Sequence, residues 1–409
     1  MGLAEVFPRI LGDGVPVEFR AYDGSRAGQP GADVAIEIRS PLALSHLAAA
    51  PGELGLARAY VTGALEVHGD MYTALASFPA LTVSELPLRT RLGLAVQLGA
   101  KRFWWPVRPP EQEYRPRGWR HSKSRDRKAI SYHYDVSNRF YEWVLGPSMA
   151  YTCAVYPEST STLEQAQYAK HDLVARKLGL SQGMRLLDVG CGWGGMVMHA
   201  AEHYGVRALG VTLSRQQAQW AQKTIAERGL ADLAEVRHLD YRDVPESGFD
   251  AVSSIGLTEH IGRAQLPAYF SSLRGKLKPG GRLLNHCITR PDGSHGSRPG
   301  KFISRYVFPD GELEPVGTLV SEMNDNGFEV RHEENLREHY ALTLADWCAN
   351  LDANWQAAVH EVGPARARIW RLYMAACRLG FDLNVVQLHQ VLGVRLDDTD
   401  ARMPLRPTW

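Results

Sequence analysis

The sequence predicts an α/β protein in which helices cover both faces of a mostly parallel sheet, with a small α+β domain in front of it. From about residue 130, apolar strands such as MRLLDVG and RALGVTL alternate with segments of helical periodicity such as RQQAQWAQKTIAERG. This alternation is typical of βαβ units. At residues 186–195 a strand runs into a cluster of glycines and then into a helix, which indicates a tight turn that approaches a ligand closely.

Three segments are predicted along the 409 residues. Residues 1–90 form the small α+β domain, because short strand-like runs alternate with helix-compatible runs and are separated by Gly and Pro clusters. Residues 91–129 form a basic, aromatic linker rich in Pro and Arg. Residues 130–409 form the α/β domain, in which the stretch 344–394 is predicted to be helical and apolar on one side.

Composition narrows the class of protein. Hydrophobic residues make up 44% of the chain, charged residues 22%, and the mean hydropathy is -0.26, which favours a globular protein over a disordered or membrane-spanning one. The five cysteines are scattered and lack a CxxC pairing, so we expect reduced thiols and no metal site. The N-terminus lacks the basic start and apolar stretch of a secretory signal, so a cytoplasmic location is expected.

The most informative stretch, LLDVGCGWGG at 186–195, has the form DxGxGxG with Asp188 on the strand itself. The next strand ends in Thr212, which is followed by Gln217 rather than by a lone acid. The pattern resembles the class I methyltransferase fingerprint, whose loop holds the methionine part of S-adenosylmethionine. The resemblance implies that Gly190 and Gly192 pack against this cofactor and that Asp188 belongs to its binding site. A tight turn without a ligand is the alternative interpretation.

The same resemblance assigns further polar groups to the cofactor. Thr212 and Gln217 would hold the ribose hydroxyls, and Asp240 with Tyr241 would flank the adenine. Such groups suit these tasks because hydroxyls and an exocyclic amine need hydrogen-bond partners once they are desolvated. For Tyr241, a surface aromatic residue that follows a strand is the alternative interpretation.

Motifs on both sides of the glycine loop narrow the family. They are YHYDVSNRFY at 132–141, MAYTCA at 149–154, GLTEHIG at 256–262, HCI at 286–288, YVFPDG at 306–311 and HY at 339–340. In this order they resemble the motifs of cyclopropane fatty acid synthases and mycolic acid methyltransferases, over about residues 120–360. Within the second motif, the resemblance assigns Tyr151 and Thr152 to the cofactor.

In that family a bicarbonate ion sits beside the reacting carbons and acts as general base. The resemblance implies that it is held by Cys153, Glu259, His286, Tyr340 and the backbone of Ile288. An alkene that attacks a sulfonium methyl becomes a carbocation, which must then lose a proton in a dry tunnel. Singly, Cys153 also suits a buried hydrophobe, His286 a core histidine and Glu259 a helix N-terminal acid.

One departure from the family concerns the product. Cyclopropane synthases usually carry Met-Phe or Ala-Phe before the Glu-His pair, whereas this chain has Leu257-Thr258 and so lacks a ring that shields the cation. We therefore expect a methylene branch, as in the actinobacterial enzymes that convert oleoyl phospholipid to a 10-methylene stearoyl chain. A flavin-dependent reductase is the expected partner of such an enzyme. The alternatives are a cyclopropane ring on the same substrate, a non-catalytic lipid-binding protein, and a methyltransferase for small molecules or nucleic acid.

The substrate implies docking on a phospholipid membrane surface as a peripheral protein. The stretch KRFWWPVR at 101–108 combines interfacial rings with cations, and ELGLARAYVTGALEVHGD at 53–70 is similar to the lipid-binding leader of longer family members. Single-stranded nucleic acid and a solvated linker are alternative interpretations of the basic stretch, of which we do not expect nucleic acid. A homo-oligomer is expected, with the helical C-terminal region as a dimer face, a part of the acyl tunnel, or both.

Overall fold

A computed structural model describes residues 2–5, 14–50, 52–78, 107–114, 137–293 and 299–409. These residues fall into two compact units. The first draws on Met1–Arg115, Gly300–Pro309 and Leu351–Leu379, and the second on Pro116–Pro299, Asp310–Asn350 and Gly380–Trp409. The predicted boundaries near residues 90 and 130 lie outside the described residues, as do most of the basic linker and residues 132–136 of the first family motif. The division at these boundaries stays a prediction.

Strands and helices are numbered in chain order. The strands are β1 Glu18–Ala21, β2 Arg26–Gly28, β3 Ala35–Ile38, β4 Leu65–His68, β5 Arg185–Val189, β6 Arg207–Thr212, β7 Ala234–His238, β8 Phe249–Ile255, β9 Leu277–Thr289, β10 Glu329–Asn335 and β11 Gln387–Val394. The α-helices are α1 Pro41–Ala49, α2 Glu53–Val61, α3 Met71–Ala76, α4 Asn138–Leu145, α5 Leu163–Leu178, α6 Gly195–Tyr204, α7 Arg215–Glu227, α8 Leu266–Lys276, α9 Lys301–Tyr306, α10 Val316–Asp325, α11 Arg337–Ala353, α12 Trp355–Val362 and α13 Pro364–Asp382. Short 3₁₀ helices are Tyr241–Asp243, Thr258–His260 and Arg263–Gln265.

The first unit contains a four-stranded sheet in the order β2-β1-β3-β4. Strands β1 and β3 are parallel, while β2 and β4 run antiparallel to their neighbours. Phe19 of β1 and Ile38 of β3 are buried, and buried residues alternate along β4, as expected for short strands with one face on a core. The predicted α+β composition of this region is therefore confirmed.

A buried ion pair joins distant segments of the first unit. The Arg58 guanidinium on α2 donates two parallel hydrogen bonds to Glu113, Nε to Oε2 at 2.8 Å and Nη2 to Oε1 at 2.9 Å. The Tyr306 hydroxyl at the end of α9 donates a third bond to the same carboxylate, at 3.4 Å. Because the side chains of Arg58 and Glu113 are only 11% and 4% exposed, neither charge is stabilised by water once its partner is removed.

The second unit is built on a seven-stranded sheet in the order β10-β11-β9-β8-β5-β6-β7. Strands β9, β8, β5, β6 and β7 are parallel, and β11 pairs antiparallel with both β9 and β10. Apolar clusters on both faces of the sheet include residues of α6 and α7 in one and of α8 in the other. The predicted α/β class, with helices on both faces of a mostly parallel sheet, is confirmed.

One prediction of secondary structure is wrong. The stretch 344–394 is helical only as far as Asp382, and its last part, QLHQVLGV, forms strand β11. Seven of these eight residues are buried, and both edges of the strand are hydrogen-bonded to neighbours. A short apolar run carries no periodicity that separates a buried strand from a helix, so tertiary pairing decides its conformation.

Strand order places the ligand site. Strand β5 has β6 on one side and β8 on the other, so the connections that leave these strands run in opposite directions across the sheet. In open α/β sheets a crevice forms outside the carboxyl ends of the strands at this switch point. Among the described residues, none of the helices combines the length and hydropathy needed to cross a bilayer.

Replacing Glu113 by Ala should lower the free energy of unfolding of the first unit by about 3–5 kcal/mol, because it leaves the buried Arg58 guanidinium without its partner. Urea unfolding monitored by circular dichroism measures this loss. The double variant R58M/E113M removes both charges and should recover most of it. Equal destabilisation by the single and double variants would contradict the assignment of the loss to an unpaired charge.

Candidate active site

A cavity of about 210 Å³ opens at the carboxyl ends of β5, β6 and β8. Its wall includes eight of the nine residues that the sequence assigns to a cofactor: Tyr151, Thr152, Asp188, Gly190, Gly192, Thr212, Gln217 and Tyr241. The cavity therefore brings these residues together where the strand order predicts a crevice. Within the described part of the chain, no group of three or more His, Cys, Asp or Glu side chains is arranged to hold a metal ion.

The glycine turn after β5 forms one wall of the cavity. Gly190, Gly192 and Gly194 have φ angles of 73°, 54° and 81°, in the left-handed region that glycine adopts without strain. The N–H groups of Gly190 and Cys191 donate to the Val211 carbonyl, at 2.9 and 3.0 Å, which fixes the turn against the end of β6. A Cβ added at Gly192 would meet no atom within 4 Å, so a ligand can approach the backbone there.

Asp188 is the acidic group of this wall. The residue lies on β5 and is 2% exposed. Its carboxylate accepts a hydrogen bond from the Ser253 hydroxyl at 2.6 Å. Burial raises the pKa of this carboxyl to about 7, against the opposing effects of the Ser253 bond and the Lys170 charge. A buried carboxyl of this kind gains most when a cation binds beside it.

A polar pair lies at the end of β6. The Thr212 hydroxyl donates to Gln217 Oε1 at 2.7 Å and accepts from the backbone N–H of Ser214 at 3.2 Å. The Ser214 hydroxyl in turn caps α7 by accepting from the Gln217 N–H at 3.3 Å. Helix α7 therefore begins at a point that holds Thr212 and Gln217 side by side in the cavity wall.

Of the two residues predicted to flank the adenine, only Tyr241 lines the cavity. Tyr241 lines the cavity and packs edge-to-face on Tyr269, with ring centroids 5.4 Å apart. Asp240 is the ninth predicted cofactor residue and is not part of the cavity wall. Its carboxylate caps the next 3₁₀ helix and bonds Arg242 Nε at 2.8 Å and Nη2 at 2.6 Å. Its contact with adenine stays a prediction.

Helix α5 holds the upstream motif against the cavity. Gln167 donates its side-chain amide to the Thr152 carbonyl at 2.9 Å, and Lys170 Nζ donates to the Thr152 hydroxyl at 2.9 Å. The Tyr151 ring lies 5.3 Å from the Trp347 ring, between centroids. These contacts fix Tyr151 and Thr152 in the wall of the cavity.

The five predicted catalytic residues lie outside the wall of this cavity. Glu259, on the 3₁₀ helix Thr258–His260, accepts the Ile288 N–H on Oε1 at 2.7 Å. Its Oε2 is buried and has no hydrogen-bond partner among the described residues. Burial raises the pKa of Glu259 to about 7. A second cavity of about 10 Å³ beside Glu259 and Ile288 is the size of one water molecule.

His286 lies fully buried on β9, in a row of side chains that crosses three strands. The register places Glu334 of β10 opposite Gln390 of β11, and Gln390 opposite His286. Lys177 Nζ donates to Gln390 Oε1 at 2.8 Å, so the Gln390 amide group faces His286 Nδ1, at 3.2 Å. The amide is a donor, so Nδ1 accepts and the ring proton resides on Nε2. His286 Nε2 has no partner among the described residues and presents an N–H donor.

The charge state of His286 follows from the same surroundings. Burial lowers its pKa well below the usual range, and the charges of Lys170 and Lys177 act in the same direction. The ring is therefore neutral at physiological pH. It donates a proton in a hydrogen bond without carrying a positive charge of its own.

Cys153 and Tyr340 meet at the start of α11. The single proton of the Cys153 thiol has two carbonyl acceptors within reach, Ala154 at 3.1 Å and Leu336 at 3.8 Å. The Tyr340 N–H donates to the same Leu336 carbonyl at 3.2 Å. Burial raises the pKa of Cys153 far above its usual range, so the side chain is a thiol and not a nucleophilic thiolate. The Tyr340 ring packs on Phe381, with centroids 4.5 Å apart.

Sequence reasoning missed Lys170 and His171, both of which line the cavity. The signal was present in α5, where Lys170 and Lys177 fall at helical spacing within a stripe of otherwise mostly apolar or uncharged buried residues. Both lysines are at most 1% exposed, which is rare for this residue type unless the charge is used or paired.

A sequence profile described as mycolic acid cyclopropane synthetase matches residues 121–391. The chain belongs to this family. It is also 53% identical to the Mycobacterium tuberculosis protein named "Probable fatty acid methyltransferase Rv3720", over 100% of this chain and 98% of that protein. A Pseudomonas putida protein named "Probable fatty acid methyltransferase" is 38% identical, over 96% of this chain and 95% of the relative. These findings confirm the resemblance that the motifs indicate.

Among solved structures, mycolic acid cyclopropane synthase CmaA1 complexed with SAH and CTAB aligns with a TM-score of 0.61 and 33% identity. The alignment covers 66% of the chain described here and 98% of the solved chain. The fold class is thus that of the S-adenosylmethionine-dependent methyltransferases, as the glycine loop predicts.

The raised pKa of Asp188 makes a prediction about stability. The folded-state pKa of this carboxyl is raised from 3.8 to about 7, so the folded protein keeps the proton over a pH range in which the unfolded chain has lost it. The free energy of unfolding therefore falls as the pH rises through that interval. Replacing Asp188 by Asn keeps the acceptor for Ser253 and removes the ionisation. The thermal midpoint of the ligand-free variant should therefore exceed that of the wild type by an amount that grows from pH 5 to about pH 7 and then levels off.

Differential scanning fluorimetry at pH 5, 6.5 and 8 measures this difference. The matched control is Asp325→Asn, at the solvent-exposed end of α10. The control makes the same chemical change at an exposed carboxyl, so comparing the two variants tests whether the effect requires burial. A constant difference for the Asp188 variant would mean that the burial of its charge does not cost stability.

Proposed function

We propose that the chain transfers a methyl group from S-adenosylmethionine to the cis double bond of an unsaturated phospholipid acyl chain. The observation that carries the proposal is the cavity that joins the glycine turn to Asp188 and to the Thr212–Gln217 pair. The name shared by two relatives, fatty acid methyltransferase, supports the acyl substrate. The solved relative complexed with SAH supports the cofactor.

The residues of the cavity fit S-adenosylmethionine. Gly192 leaves the backbone open to approach, the buried Asp188 carboxylate suits an ammonium group, and Thr212 with Gln217 suits a pair of hydroxyls. When bound, this cofactor supplies an electrophilic methyl group on a positively charged sulfur. The chain itself then has three tasks: to position the alkene, to stabilise a developing positive charge and to remove a proton.

Burial serves the first two tasks. Leu257 and Ile261 give the cavity wall an apolar side that excludes water, which strengthens electrostatic interactions inside. The Tyr151 and Tyr241 rings line the same wall, and an aromatic face within about 6 Å stabilises a cation by about 0.5–2 kcal/mol.

Glu259 suits the third task. Its unpartnered Oε2 is an acceptor, and a pKa of about 7 lets the carboxyl take up and release a proton near neutral pH. Its Oε1 is anchored on the Ile288 N–H, so the carboxylate keeps one orientation. The His286 Nε2–H supplies a neutral donor in the same region of β9.

Bicarbonate belongs to this proposal as an additional base. When bound, it would supply a small negative charge and a proton acceptor beside the substrate. The unpartnered His286 Nε2–H suits an anion, and the Cys153 thiol and Tyr340 would complete its surroundings. The Ile288 N–H is already bonded to Glu259, so holding the ion there requires the carboxylate to release it.

For the product we propose a methylene branch. Leu257 lines the cavity, whereas the Thr258 hydroxyl is buried and donates to Asn285 Oδ1 at 2.5 Å, so only Leu257 takes part in the wall. A methylene branch forms when a hydride shifts from the methylated carbon to the neighbouring cationic carbon and the transferred methyl group then loses a proton. An aliphatic group at Leu257 leaves the cation unshielded on that side, which favours this hydride shift over ring closure. Cyclopropanation is the second candidate, because Tyr151, Tyr241 and Tyr269 still provide ring faces elsewhere in the wall.

Reaching a mid-chain double bond requires access to the bilayer, so we propose peripheral association of a cytoplasmic protein with the phospholipid surface. Residues 101–106 of the predicted docking stretch lie outside the described residues, and this step rests on their sequence.

Substituting Trp104 and Trp105 by Ala should reduce sedimentation of the protein with anionic vesicles. Unchanged sedimentation would contradict the proposed docking stretch. The reductase partner and the homo-oligomer stay predictions.

Incubation with methyl-labelled S-adenosylmethionine and oleoyl phospholipid vesicles tests the proposed reaction. Labelled fatty acids released from the lipid should carry a methylene branch, identified by mass spectrometry after chromatography. A labelled cyclopropane acid would instead support the second candidate. Absence of label from the acyl chains, with label in the headgroup or in added nucleic acid, would contradict both.

Replacing Glu259 by Gln tests the proton acceptor. Gln retains an acceptor for the Ile288 N–H but cannot take up a proton, so kcat should fall by about 10²–10⁴-fold. Binding of S-adenosylhomocysteine should be unchanged. The matched control is Glu314→Gln, a buried neighbour in the same small cavity that is paired with Arg263, and it should retain most of the activity. An equal loss of kcat in both variants would mean that the effect comes from disturbed packing and not from the missing proton acceptor.

A further inference from the structure

Lys170 is a buried cation that the proposed reaction does not use. It lies on α5, is 1% exposed, and lines the same cavity as Asp188. Its Nζ bonds the Thr152 hydroxyl at 2.9 Å and lies 2.9 Å from His171 Nε2. Burial lowers the pKa of His171 well below its usual range, so both partners are neutral. Neither of them balances the charge of the ammonium group.

A second buried lysine on the same helix has an ion-pair partner and serves as a comparison for Lys170. Lys177, two turns further along α5, is ion-paired with Glu334 and also donates to Gln390 at 2.8 Å. Lys170 has no ion-pair partner among the described residues. An ammonium group buried without a counter-ion is costly, so the cost indicates a site that an anion completes.

Besides Arg242, which is ion-paired with Asp240, the cavity wall carries Lys170 and Asp188, two separated charges of opposite sign. Lys170 and Asp188 are close enough that each shifts the pKa of the other towards its charged form, but they do not form an ion pair with each other. Burial lowers the pKa of Lys170 to about 8, so the group is still mostly charged at pH 7. One cation and one anion held apart in a single cavity are complementary to a zwitterion.

We infer that Lys170 binds the carboxylate of the cofactor's aminocarboxyl group, while Asp188 faces its ammonium group. The inference rests on the proposed function for the identity of the cofactor and adds a residue that the sequence motifs do not contain. The Thr152 hydroxyl and the neutral His171 ring orient the Lys170 ammonium from two sides. Helix α5 thereby takes part in cofactor binding, together with the glycine turn.

The test compares three ligands by isothermal titration calorimetry on the full chain. S-adenosylhomocysteine has the whole aminocarboxyl group, its decarboxylated analogue lacks only the carboxylate, and 5′-methylthioadenosine lacks both charged groups. The variant Lys170→Met should lose about 10- to 100-fold in affinity for S-adenosylhomocysteine, as expected for a charged hydrogen bond. Its affinity for the other two ligands should change by less than about threefold, within the scatter of a neutral contact.

Three outcomes are decisive. A wild-type chain that binds none of the three ligands overturns the proposed function. A wild-type chain that binds S-adenosylhomocysteine, with a variant that loses affinity equally for all ligands or for none, overturns the Lys170 assignment alone. The variant Lys170→Gln, which keeps a donor for Thr152, provides a second measurement and should show the same loss for the carboxylate-bearing ligand. Binding of 5′-methylthioadenosine reports that each variant is folded.

Discussion

The position of β5 between β6 and β8 is the constraint on which the rest of the site depends. Parallel strands end at one edge of a sheet, and a reversal of strand order leaves an open crevice at that edge. The backbone bonds from Gly190 and Cys191 to Val211 then hold the turn after β5 against the end of β6. Asp188 and Thr212 stand at the ends of the two strands that meet at this junction, so the sheet topology determines where these polar groups of the cavity wall lie.

Around this junction the fold buries charges that it does not neutralise. Asp188 and Glu259 have raised pKa values and Lys170 a lowered one, each chiefly because of burial. Each arrangement costs stability in the ligand-free protein and is favourable only when a charged or proton-donating partner enters. Arg58 and Glu113 differ from them, because the charges of these two side chains are paired with each other within the other unit.

Much of the fold and of the cofactor site could be predicted from the sequence because both depend on local patterns. Strand-helix alternation gave β5 to β9, and the glycine spacing located Gly190 and Gly192. Strand β11 was missed because a short buried strand has no periodicity of its own. Lys170 was missed because its helical spacing to Lys177 indicates a shared face but not whether the charge is paired. Only the packing shows that Lys177 has an ion-pair partner and that Lys170 has none among the described residues. Asp240 was assigned by motif, yet its carboxylate is engaged by Arg242.

The row Glu334–Gln390–His286 has a consequence for anyone who redesigns this protein. The position of one proton on the imidazole is set by the orientation of one amide, and that orientation is set by a lysine on a different element. These residues therefore form one hydrogen-bonded network that connects β9, β10, β11 and α5. A substitution at Lys177 or Gln390 removes a contact that sets which nitrogen of His286 is the donor, even where the new side chain has a similar volume.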